Sequence, residues 1–86
     1  MLTEKQAWAR VAEILKHHRD GGRFLGICLR ITDLCRTQQI SPRMRLLMHA
    51  KVKRETERLR REDYMFLWPM DESGYRKRIA FCKKYS

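Results

Sequence analysis

No stretch of this chain approaches the roughly 20 consecutive apolar residues that a membrane-spanning helix needs. Its first residues lack the basic start, apolar centre and small-residue cleavage site of a secretory signal. The expectation is therefore an intracellular, cytoplasmic protein without a membrane partner. Cysteine is scarce and odd in number, at 3. Cys28 and Cys35 fall seven apart on one helical pattern, about 10 Å along its axis, too far for a disulfide. All three thiols are expected to be reduced. No Cys-x-x-Cys or His pair at i, i+4 announces zinc, so neither a metal nor a cofactor is expected. Cysteines on an apolar row ordinarily act as small buried hydrophobes. A glycine-rich phosphate loop and a nucleophile motif are absent too, and Glu13, Asp20 and Asp33 are scattered. These absences point away from an enzyme.

Acidic residues are also in short supply. Ten Asp and Glu face 20 Lys and Arg, leaving a formal charge of +10 on 86 residues. Such a balance favours an anionic partner: nucleic acid, a nucleotide, a membrane surface or an acidic protein face. With 43% hydrophobic residues the chain has enough apolar material to fold. At this length it forms one domain, residues 1–86, with a thin core.

What is present reads as helix. Thr3 and Gln6 match a capping box, and Trp8, Val11, Ala12 and Leu15 follow at helical spacing, widened by Ile14. Gly21-Gly22 suits the end of that helix. The second helix is expected over Phe24–Gln38. It is the most apolar and so the expected central one, with Cys28, Ile31 and Cys35 in a row and Leu25 and Leu29 extending its apolar surface. Gly26 marks either a frayed start or a close contact. Ser41 and Pro42 open a third helix that runs without a breaker to about Arg61. Met44, Leu47, Met48, Val52 and Leu59 share one side of it. Tyr64–Trp68 has strand-like composition but no second run to pair with, so it is expected as extended chain across the helices or as a strand pairing with another copy. Pro69 stops it, Asp71 caps, and a last helix runs from Glu72 to about Lys84, with Tyr75, Ile79 and Cys82 on one stripe and Arg76, Lys77 and Arg78 on the other faces. The expected fold is all-α: a small four-helix domain with a short extended or strand-like segment before the last helix.

Candidate binding residues follow from charge. Between Arg43 and Arg61 eight cations face only Glu55 and Glu57. Arg43, Arg54 and Arg61 fall close together on the helical wheel, with Arg58 alongside. Guanidinium groups suit phosphate because they offer two parallel N–H donors. Local pairs with Glu55 and Glu57 account for part of this face and not for its net excess. Trp68, Tyr75 and Arg76 sit together across the Pro69 corner, and bases stack on aromatic rings and guanidinium planes. The alternative is that Phe66 and Trp68 fill the core, as aromatic residues usually do. The expected ligand site therefore comprises Arg43, Arg54, Arg58, Arg61 and Arg76 for phosphate, and Trp68 or Tyr75 for stacking.

The order of these segments, above all Trp68, Pro69, Gly74, Arg78, Phe81 and Cys82 near the C-terminus, resembles a group of small, uncharacterised tailed-phage proteins over nearly the whole chain. The resemblance implies a phage accessory protein that acts by binding and blocking inside a host cell, and it transfers no functional residue. The leading expectation is a non-enzymatic protein that captures nucleic acid, or sequesters a nucleotide defence signal. The alternative is a protein-binding inhibitor of a host or defence complex, with Met65, Phe66 and Met70 as its exposed patch. A homodimer, through the second helix or Tyr64–Trp68, is compatible with both.

Overall fold

The computed structural model describes residues 1–17, 25–61 and 72–86, apart from the side chains of 59–61 and 72–74. The Gly21-Gly22 stop, the Tyr64–Trp68 segment, Pro69 and the Asp71 cap lie outside the described residues. Four helices make up the rest: α1 (Glu4–His17), α2 (Leu25–Arg36), α3 (Pro42–Arg61) and α4 (Glu72–Tyr85). Among the described residues the fold is all-α.

The start signals act as their chemistry requires. Thr3 N–H donates to Gln6 Oε1 at 2.9 Å and Gln6 N–H donates to Thr3 Oγ1 at 3.2 Å, the two reciprocal bonds of a capping box. Ser41 Oγ accepts from the Met44 N–H at 3.1 Å, with Pro42 at the first helical position, where its missing N–H is not needed.

α2 ends at Arg36, two residues before the expected Gln38. The Gln39 N–H reaches back to the Leu34 carbonyl at 2.8 Å, and the Gln38 N–H to the Cys35 carbonyl at 3.0 Å. This is a Schellman closure. It places Gln38 at the left-handed position, with φ at 63°, where glycine is the usual residue. The turn is then fastened from outside, because the Leu2 N–H donates to the Gln39 carbonyl at 2.8 Å. Gly26 is buried, which fits the close-contact reading of its place in the helix.

α1 packs against both α4 and α2, and α2 packs against α3. The centre is thus shared between α1 and α2. Ala7, Trp8, Val11, Ala12 and Leu15 of α1 meet Ile27, Ile31 and Leu34 of α2, Ile40 of the turn, Met48 and Val52 of α3, and Phe81 and Cys82 of α4 in one core. Trp8 is fully enclosed. Its ring meets Phe81 edge-on at 5.5 Å and lies tilted on Tyr85 at 5.3 Å, both arrangements that aromatic quadrupoles favour.

Two faces differ from the sequence expectation. Leu47 was expected on the buried side of α3 and is instead exposed; Met48 and Val52, a step further round the wheel, take the core. On α4 Arg78, Phe81 and Cys82 are buried, with Tyr85 and Ile79 partly buried against the core; of the expected Tyr75, Ile79 and Cys82 stripe, Tyr75 does not join it. Arg78 was expected among the outward cations and is 1% exposed. α4 turns this way because Phe81 and Tyr85 together cover Trp8, a large apolar gain.

Replacing Trp8 with Ala should lower unfolding free energy by about 3–5 kcal/mol, read from urea melts, with Trp8→Phe retaining most of it. Gln38→Gly should raise stability by about 1 kcal/mol by relieving the left-handed backbone; an unchanged or lower midpoint would contradict the strained turn.

Candidate anion-binding surface

α3 is 20 residues long, and its packed side is narrow. The opposite side faces water. Arg43, Leu47, Ala50, Arg54 and Arg58 recur at helical spacing along it, all exposed. From Arg43 to Arg58 this stripe extends about 22 Å, at 1.5 Å per residue. Arg61 belongs to the same stripe by its spacing, but its side chain lies outside the described residues, as does all of Trp68.

The cations of α3 are not alike. Arg58 is held by Glu55, with Nη2 at 2.6 Å from Oε1 and Nε at 3.3 Å from Oε2. That hydrogen bond pulls the Glu55 carboxyl below its ordinary range against the opposing effect of burial, helped by the charges of Arg58 and Lys84. Lys51 pairs with Glu4 across to α1 and sits 4.7 Å above the Tyr85 ring. Among the described residues, Arg43, Arg45, Lys53 and Arg54 make no ion pair. On α2, by contrast, Asp33 takes up Arg30 at 3.2 Å and Arg36 at 3.1 Å. α3 thus carries four unmatched cations where the α2 arginines are taken up, and Lys5 and Arg10 of α1 and Lys83 and Lys84 of α4 likewise make no ion pair.

The expected site residues divide between separate places. Arg54 and Arg58 border an open groove of about 410 Å³ with Lys51, Glu55, Glu57 and Tyr85. Tyr75 and Arg76 border a different hollow, about 370 Å³, with Lys16, Ile79, Ala80 and Lys83. Arg43 stands about 16 Å along α3 from Arg54. The groove of Arg54 and Arg58 and the hollow of Tyr75 and Arg76 are thus separate places. Tyr85 was not expected beside the arginines; its i+4 spacing from Phe81 was the available signal.

No group of three or more His, Cys, Asp or Glu side chains among the described residues is placed to hold a metal ion. Cys28, Cys35 and Cys82 are free thiols. Burial pushes Cys82 from 9.0 up to about 12 and raises Cys28 as well, so neither is an activated nucleophile. No described helix is long and apolar enough to cross a membrane. No protein-family model matches the chain, and no curated protein or solved structure matches it.

A thiol held neutral in the fold but free to ionise on unfolding contributes stability that is present below its unfolded pKa and lost above it. For Cys82 that loss should run from pH 9.0 to about 12. Urea midpoints measured across this window should fall, and fall less steeply in Cys82→Ala, although that variant starts from a lower stability. Parallel slopes would show that the thiol is not shielded.

Proposed function

We propose that this protein binds nucleic acid through the phosphate backbone, along the water-facing side of α3, without catalysing a reaction. The observation that carries this reading is the run of unpaired cations Arg43, Lys53 and Arg54 on one helix. Arg58 continues the run while also pairing with Glu55. Its length bears on the ligand class. A single strand of duplex DNA presents a phosphate every 3.4 Å or so of axis, so a stripe about 22 Å long can meet several phosphates at once. The phosphates of a small nucleotide cluster together and would engage only one end. Phosphate contact alone gives affinity without sequence preference. In the phage setting that the C-terminal signature implies, such a protein would occupy nucleic acid and block access to it.

Titration of duplex DNA, single strands and a panel of cyclic nucleotides at two salt concentrations tests this reading. Duplex affinity should fall steeply with salt, with a logarithmic slope of about 0.9 for each phosphate contacted. The triple variant Arg43→Glu, Lys53→Glu, Arg54→Glu changes exposed side chains only and should keep its helical circular dichroism. It should lose at least about tenfold in affinity, and its salt slope should drop by roughly 2 to 3. Tight, salt-insensitive capture of a cyclic nucleotide would move the site to the Tyr75–Arg76 hollow, and silence from every nucleic acid would end the proposal.

A further inference from the structure

Four leucines of this small protein stand in water: Leu25 at 59% exposure, Leu29 at 48%, Leu46 at 61% and Leu47 at 47%. A phosphate backbone makes no use of them. Leu25 and Leu29 are one turn apart on α2, and Leu46 and Leu47 are adjacent on α3. The two helices return along one another, because His49, about two turns into α3, donates from Nε2 to the carbonyl of Cys28 at 3.3 Å, about two turns before the end of α2. His49 Nε2 also lies 3.5 Å from Thr32 Oγ1. Leu29 directly follows Cys28, and Leu46 lies one turn before His49. Leu25, Leu29 and Leu46 therefore flank one seam on the outer side of the α2–α3 hairpin, with exposed Ala50 beside it, whereas Leu47, two residues before His49, falls on the far side of α3 from α2. Contiguous apolar surface rimmed by charge is the mark of a docking site on a small soluble domain.

The rim chooses the occupant. Arg43, Lys53 and Arg54 border the α3 leucines, exposed and without an ion pair. Arg36, on the α2 side, is already tied to Asp33, and Glu57 is the exposed carboxylate nearest along α3. A second copy of this chain fits poorly, because a two-fold interface sets each patch against itself and would bring these three cations toward their own duplicates. We propose instead that the outer face of the α2–α3 hairpin docks an acidic amphipathic helix of another protein. Its apolar stripe would cover Leu25, Leu29 and Leu46, and its flanking carboxylates would pair with Arg43, Lys53 and Arg54, a helix-on-groove mode of recognition. This goes beyond the nucleic-acid reading and does not rest on it, although the two ligands would compete for Arg43 and Arg54.

The test uses the full chain and a labelled synthetic helix of about 18 residues, with leucines at i, i+3, i+4 and i+7 and glutamates beside them. Fluorescence anisotropy should show binding. Two control peptides, one with lysine for each glutamate and one with alanine for each leucine, should bind at least about tenfold more weakly. Leu29→Gln and Leu46→Gln are neutral surface changes; each should weaken the acidic peptide about tenfold and leave duplex DNA affinity unchanged. That difference separates failure of this inference from failure of the phosphate reading. The proposal falls if the alanine peptide binds as well as the leucine one, if the glutamine variants bind the peptide normally, or if sedimentation shows a homodimer that those variants dissolve.

Discussion

Enclosure of the Trp8 indole is the constraint on which the rest of this structure depends. α1 offers one large apolar side chain, and a chain this short cannot bury it with α2 alone. Phe81 and Tyr85 of α4 close over it. That contact sets the rotation of α4, carries Cys82 and Arg78 inward, and leaves Arg76 and Lys77 in water. It also reaches α3, because Lys51 lies above the outer face of Tyr85 while pairing with Glu4 at the start of α1. One aromatic cluster thereby helps to fix α3 and α4, the two helices that border the Lys51–Arg54–Arg58 groove.

α3 is left with a divided surface. Among its described side chains, Met48 and Val52 are the fully buried apolar contributions. The other side is held by helical propensity, its cap and one Glu55–Arg58 pair, and such exposed pairs contribute little. Cations on that side gain no stability from their position. Like charges at adjacent turns work against the helix. Their accumulation is not a product of the fold, which is the ground for the proposed partner, and the leucines interleaved with them have the same character: side chains that the core did not take.

Much of the fold was legible along the chain. Thr3–Gln6 and Ser41-Pro42 are local devices in which side chain and backbone lie within one turn, so their outcome depends on nothing distant. Turns were harder. Gln38 takes a conformation that its residue type does not advertise, and the helix ends there because the 35–39 backbone closes on itself. The face of each helix was hardest. Leu47 and Met48 are adjacent and alike in hydrophobicity, and only the position of α2 decides which is buried. Tyr75–Ile79–Cys82 and Arg78–Phe81–Cys82–Tyr85 are both sound helical stripes, and the wheel alone does not favour the second, since it places a guanidinium in the core. Arg78, Phe81 and Cys82 of the C-terminal signature are packing residues, so that pattern speaks of how α4 seats and not of a ligand.

The candidate surface shows the same division. Excess positive charge on α3, and its recurrence at helical spacing, are properties of composition and period, and the sequence by itself determined them. Convergence is a different matter. Whether Arg54 meets Tyr75 or Tyr85, and whether Arg43 shares a cavity with either, depends on the angles at which helices far apart in sequence come together. Those angles are set by side chains such as Trp8 that belong to no site. Only the tertiary structure could part Arg76 from Arg54 and bring Leu29 alongside Leu46, because distance through space between residues on different helices is fixed by packing and is written in no local pattern.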